Sequence, residues 1–219
     1  MTGVVAESLT KEFYSYPVAR NLPIRICDTM GLQQNTSEVD IRNLLIAAEG
    51  HVPRGYKFTI GEEYHVRSPG YIANPTIADS AHCVVIVINA TVAIHMESVM
   101  VRKLKSLAEG LYSRKIPVFV VLTHMDEFCP EVRKDVRKVY HSIAVRNLVH
   151  KISSIVNGLP ESQIFPVINY SKVLELKNNM DILLLYALRQ MLILAEEHLE
   201  IHREQLTIEP WRNLKGWDR

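Results

Sequence analysis

The chain has 219 residues, with Lys+Arg 25 against Asp+Glu 24, 47% hydrophobic and 22% charged. That composition suits a globular protein and excludes a mainly disordered one. The near-neutral balance gives no electrostatic ground for nucleic-acid binding, and no apolar run approaches the roughly 20 residues of a membrane span. Three widely spaced cysteines, Cys27, Cys83 and Cys129, make neither a disulfide framework nor a Cys-based zinc site. The residues Met1 to Glu7 lack the basic and apolar regions of a secretory signal, so the expectation is an intracellular protein with reduced thiols.

Ser8 to Tyr16 alternates loosely and reads as a strand. Leu22 to Cys27 is a short apolar strand ending at Asp28. Glu38 to Glu49 carries Val39, Ile41, Leu44, Leu45 and Ala48 near helical spacing. The stretch 50–80 holds Pro53, Pro69 and Pro75 among four glycines and reads as an irregular insertion, functional or mobile. Cys83 to Ile88 is an unbroken apolar run, expected as a strand buried on both faces. A helix over Glu97 to Glu109 is expected to end at Gly110. Ile116 to Leu122 is the next buried strand. Pro130 then suits the first turn of one long helix, with Val132, Val136, Val139, Ile143, Leu148, Ile152 and Ile155 along its apolar face and Gly158 at its end. Gln163 to Ile168 is a short strand and Asp181 to Leu199 the last helix. The segment 201–219 reads as a loose tail after a single domain over 1–200.

Strands alternating with helices imply an α/β fold with a mostly parallel sheet flanked by helices. Ligands bind such sheets at the carboxyl ends of the strands. Three strand ends carry matching chemistry: Asp28-Thr29-Met30-Gly31, Thr123-His124-Met125-Asp126 and Asn169-Tyr170-Ser171. An Asp-x-x-Gly suits a phosphate switch, the carboxylate holding Mg²⁺ through water and the glycine N–H approaching a γ-phosphate. A Thr-x-x-Asp suits guanine, because one carboxylate accepts from two adjacent donors on the base edge. The loop after the last strand offers a backbone N–H to the base oxygen. Together these make Asp28, Thr29, Gly31, Thr123, His124, Asp126, Asn169, Tyr170 and Ser171 the candidate GTP/GDP-binding residues, with Asp28 the indirect Mg²⁺ ligand and Ser8 or Thr10 a switch hydroxyl.

The stretch Leu22 to Leu32, with Asp79 to Val84, Leu122-Thr123-His124-Met125-Asp126, Ser162 to Ser171 and Asp181 to Leu192, resembles the interferon-induced protein 44 family. The resemblance covers most of the chain. It implies a P-loop GTPase-like domain, cytoplasmic and interferon-induced, with a role in antiviral innate immunity.

A working GTPase also needs Gly-x-x-x-x-Gly-Lys-Ser/Thr, whose backbone N–H groups and Lys hold the phosphates. Only Gly50 and Gly55 have that separation, and Tyr56 and Lys57 stand where Lys and Ser/Thr belong. The expected fold therefore lacks its first strand and phosphate loop. That strand lies centrally in this sheet class, so its two neighbours are expected to keep unpaired backbone groups. Leu32 replaces the water-orienting Gln, and His124 replaces the Lys that stacks along guanine. High-affinity GTP binding and hydrolysis are expected to be lost. An active hydrolase with its loop in preceding sequence, and a nucleotide-independent scaffold, are the alternatives. The protein partner is not legible. His198 and His202 share a helix face without the spacing of a zinc enzyme, and the basic run 133–138 reads as a solvated face.

Overall fold

The computed structural model describes residues 12–20, 22–33, 35–170 and 175–203, which fall into two compact units, one up to Ala81 and one from His82. The first unit begins with an antiparallel ribbon of β1 (Tyr14–Pro17) and β2 (Arg25–Asp28), registered with Tyr14 opposite Asp28 and Tyr16 opposite Ile26. Arg25 ties the ribbon together, its guanidinium donating to Ser15 Oγ at 2.8 Å and to Ser15 O at 3.2 Å. Residues 8–11 of the expected first strand lie outside the described residues. Among the described residues β2 pairs only with β1, and Ile26, Cys27 and Asp28 are exposed. Cys27 is exposed, because a two-stranded ribbon leaves its faces uncovered.

Helix α1 (Glu38–Ala48) starts where Ser37 and Asp40 form a reciprocal cap. Ser37 N–H donates to Asp40 Oδ2 at 2.6 Å, and Asp40 N–H donates to Ser37 Oγ at 3.3 Å. It ends at Gly50, whose φ of 89° turns the chain while the amides of Gly50 and His51 donate to the carbonyls of Ala47 and Ile46. A Cβ on Gly50 would stand 2.8 Å from the Asp79 backbone, so this glycine serves a helix end and a close approach, not a phosphate.

The stretch 50–80 is irregular, as expected, with a single bridge between Glu12 and Lys57. It is nevertheless tightly held. Asp40 Oδ1 accepts the Gly61 N–H at 2.7 Å. Asn43 accepts the Tyr64 N–H at 2.9 Å and donates to Glu62 O at 2.7 Å. Both side chains are buried, so these bonds satisfy polar groups that would otherwise be costly. Tyr64 is fully buried with Phe13, Met30, Val52 and Phe58, its ring 4.4 Å from Tyr56 and 5.7 Å from Tyr71. Burial pushes its phenol up to about 12.

The second unit is a parallel three-stranded sheet, order β3-β4-β5, formed by Val84–Asn89, Val118–Thr123 and Ile164–Pro166. Val84 pairs with Val118 and Asn89 with Thr123, while Val120 pairs with Ile164. After β3 come α2 (Ala90–Ala93) and α3 (Ser98–Ser113). Leu104, Leu107, Ala108 and Leu111 form the buried stripe of α3 at helical spacing. Short helices α4 (Met125–Phe128) and α5 (Pro130–Lys134) follow β4. Then come a 3₁₀ turn at Val136–Lys138, α6 (Ile143–Ile155) and, after β5, α7 (Asn178–Arg203). Among the described residues no helix is long and apolar enough to cross a membrane. The architecture is mixed α/β, compatible with a P-loop-like fold lacking its first strand.

Four expectations change. β3 is not buried on both faces: Ile86 and Ile88 are buried, while Val85, 37% exposed, and Val87, 65% exposed, alternate with them on the other face. α3 runs through Gly110 and ends at Arg114, where Lys115 takes φ 59° and the amides of Lys115 and Ile116 close back onto Tyr112 and Leu111. The long helix from Pro130 breaks at Asp135. That side chain accepts from Arg137 N–H at 3.0 Å and so starts a new turn. Ile143 consequently faces solvent, and Val145 joins Leu148, Ile152 and Ile155 in the core. Finally, α7 continues to Arg203, into the segment expected as a tail; residues 204–219 lie outside the described residues.

Candidate functional site

Two of the three marked strand ends lie in the second unit and adjoin. β4 is anchored by a fully buried Leu122 and ends at buried Thr123. Thr123 Oγ1 donates to Ile88 O at 3.5 Å and sits 2.9 Å from His124 Nδ1. His124 adopts φ 59°, ψ 35°, a left-handed conformation that histidine enters more readily than most residues. This single residue turns the strand directly into α4. The carbonyl of His124 then accepts from the amides of Glu127 and Phe128 at 3.0 Å.

Met125, fully buried, fixes the turn from below, and its N–H donates to Val167 O at 3.3 Å. Val167 N–H in turn donates to Leu122 O at 2.8 Å. The ends of β4 and β5 are thus laced together, and exposed Asn169 follows two residues after Val167. Asp126 stands in the first turn of α4, half-buried. Its carbonyl accepts from Arg133 Nε at 2.8 Å, whereas its carboxylate makes no hydrogen bond or ion pair with any described residue. A carboxylate held on a rigid turn and left unengaged can accept two parallel donors from a planar ligand.

Tyr170 does other work. Its hydroxyl donates to Asp181 Oδ1 at 2.7 Å and accepts the Lys177 N–H at 2.8 Å, closing the loop that leads into α7. Burial and the bond to Asp181 hold its phenol above the ordinary value. Ser171 lies outside the described residues, as do Ser8 and Thr10.

Asp28, Thr29 and Gly31 lie in the first unit. Asp28 closes β2 opposite Tyr14 and is exposed. Thr29 Oγ1 is buried without a hydrogen-bond partner among the described residues, and Met30 enters the core of that unit. The 219 residues contain no Gly-x-x-x-x-Gly-Lys-Ser/Thr loop. Among the described residues no group of three or more His, Cys, Asp or Glu is placed to hold a metal ion. Sequence reading missed Asp40 and Asn43, which position the whole stretch 59–64; a polar pair three apart on the apolar side of α1 was the available signal.

No family model matches the chain, and no solved structure matches it. Among curated proteins it is 31% identical over 210 residues to human Interferon-induced protein 44-like, covering 91% of this chain and 45% of that protein. It is 26% identical over 205 residues to human Interferon-induced protein 44, covering 46% of it. The mouse protein of that name is 27% identical over 207 residues, with 48% covered. The chain thus spans a little under half the length of these relatives. About nine-tenths of this chain matches each of these proteins, which supports its place in the interferon-induced protein 44 family.

Proposed function

We propose that this interferon-induced protein acts in cytoplasmic antiviral defence through a GTPase-like domain whose base-recognition loop is formed and whose 219 residues do not supply a phosphate cradle. The observation that carries the reading is the Asp126 carboxylate, presented unengaged from a left-handed turn at the end of β4. Thr123 and Asn169 flank the base position. His124 supplies a planar ring where a lysine stem would stack. Asp28 would hold Mg²⁺ through water only if phosphates were present to share the ion. With no lysine and no run of amides aimed at the phosphates, most of the binding energy of a nucleoside triphosphate has no receiver.

The test has two arms. Fluorescent GTP with Mg²⁺ is expected to show no saturable binding to the purified chain in the micromolar range. Guanosine at millimolar concentration is expected to shift the amide resonances of Thr123 to Asp126, adenosine is not, and Asp126→Ala is expected to abolish the shift. Micromolar GTP affinity, or an Asp126→Ala variant indistinguishable from the parent, would overturn the reading. A second reading, an active GTP hydrolase with its loop in additional sequence, is favoured by the relatives' greater length. It predicts a strand followed by Gly-x-x-x-x-Gly-Lys-Ser/Thr in the transcript upstream of Met1.

A further inference from the structure

Glycine would make the turn from β4 into α4 with the least strain, because the residue there holds φ 59°, ψ 35°. A histidine stands in its place, and its ring is held. Nδ1 of His124 lies 2.9 Å from Oγ1 of Thr123. Thr123 is buried at the end of β4, directly after the fully buried Leu122. The hydroxyl is therefore placed by the sheet, and the ring takes its orientation from the hydroxyl. The other ring nitrogen, Nε2, makes no hydrogen bond or ion pair with any described residue, and His124 is half-buried. One edge of the ring is tied to the strand, and the other edge is left over.

The unengaged Asp126 carboxylate follows two residues later in the same turn. The two side chains act on a planar base in different ways. A carboxylate accepts from donors on the base edge and repels an acceptor there, so it discriminates between bases. An aromatic ring stacks on the face of any base, so it adds affinity with little discrimination. We infer that Thr123 is a positioning residue whose hydroxyl holds the His124 ring as a stacking wall, so that His124 supplies affinity for the base and Asp126 supplies the choice of guanine. The inference rests on the guanine reading of Asp126 proposed above. It also gives the left-handed backbone at His124 a reason, since sparsely populated conformations persist where the surrounding structure holds a side chain for use.

Two measurements on the full 219-residue chain test the inference. The first needs no nucleoside. The ring nitrogen resonances of His124 are expected to move in Thr123→Val, which removes the hydroxyl and keeps the shape, and to hold their parent values in Thr123→Ser. The second is titration with guanosine and with inosine, which lacks the 2-amino donor. The parent is expected to prefer guanosine. Thr123→Val and His124→Gly are each expected to weaken both nucleosides by the same factor, at least about fivefold, and so to preserve the preference. Asp126→Ala is expected to abolish the preference, and Thr123→Ser to match the parent. His124→Gly is expected to melt no lower than the parent, because glycine accepts φ 59°. Ring nitrogens indifferent to Thr123→Val, parent-like affinity in His124→Gly, or loss of the guanosine preference in either variant overturns the inference. A parent chain unresponsive to millimolar guanosine overturns the reading of Asp126 itself, whereas a responsive parent with indifferent Thr123 and His124 variants overturns this inference alone.

Discussion

Strands β3 and β4 are each six residues long and almost wholly β-branched or aromatic, Val-Val-Ile-Val-Ile-Asn and Val-Phe-Val-Val-Leu-Thr. By sequence they are equivalent. In the structure β4 has a parallel partner on each side and is buried nearly throughout, while β3 has one partner among the described residues and turns Val85 and Val87 to solvent. The composition of a strand states what environment it was selected for; its neighbours decide whether it gets it. β3 is a central strand by composition and an edge strand by position. Among the described residues β2 likewise has one strand partner, β1, and Ile26, Cys27 and Asp28 are exposed. Of the two, β3 carries no charged side chain, one of the usual protections of an edge against further pairing.

The comparison sharpens first through truncation. Leu122→Ala in β4 is expected to cost about 2–5 kcal/mol, because it empties a fully buried site. Val87→Ala in β3 is expected to stay within about 0.5 kcal/mol. Urea titrations of the two variants measure both, and equal losses would break the contrast. A smaller effect of opposite sign is expected just before β4. Lys115 holds a left-handed conformation better suited to glycine, so Lys115→Gly is expected to stabilise by about 0.5–1 kcal/mol in thermal melts.

The thiols give the finest probe. Cys83 leads into β3 and burial pushes its thiol from 9.0 up to about 12, so it stays neutral in the folded chain at pH 8. Iodoacetamide is expected to label exposed Cys27 well before Cys83. The sign of the linkage follows. Cys83 is protonated in both states below pH 9, and above it only the unfolded chain ionises. Its contribution therefore leaves stability unchanged up to about pH 9 and lowers it as pH rises toward 12. Loss of stability on acidification through this group would contradict the assignment.

Most of the second unit was legible because its elements follow local rules. The helix expected over Glu97 to Glu109 is found as α3, and the apolar runs Cys83 to Ile88 and Ile116 to Leu122 as β3 and β4. What escaped depended on caps and partners. Gly110 looked like a helix end, yet the turn is made five residues later by Lys115, whose closing hydrogen bonds and the buried Leu111 and Ile116 outweigh the strain. The valines from Val132 to Ile155 looked like one helix, but the Asp135 side chain starts a new turn and rotates Ile143 outward. At the site, Thr123, His124 and Asp126 were marked by spacing alone, and the structure sets them on one turn. Tyr170 shared that marking but is occupied by Asp181 and Lys177, a contact eleven and seven residues away that no short motif encodes.

The central claim is that, among the described residues, β3 is paired along one side only, by β4. Hydrogen exchange read residue by residue on the purified chain tests it most directly. The account predicts strong protection along Val120 to Leu122 and, in β3, alternate amides exchanging orders of magnitude faster than those bonded to β4. Protection along all of Val85 to Ile88 equal to that of β4 would show the edge to be paired and would contradict the account.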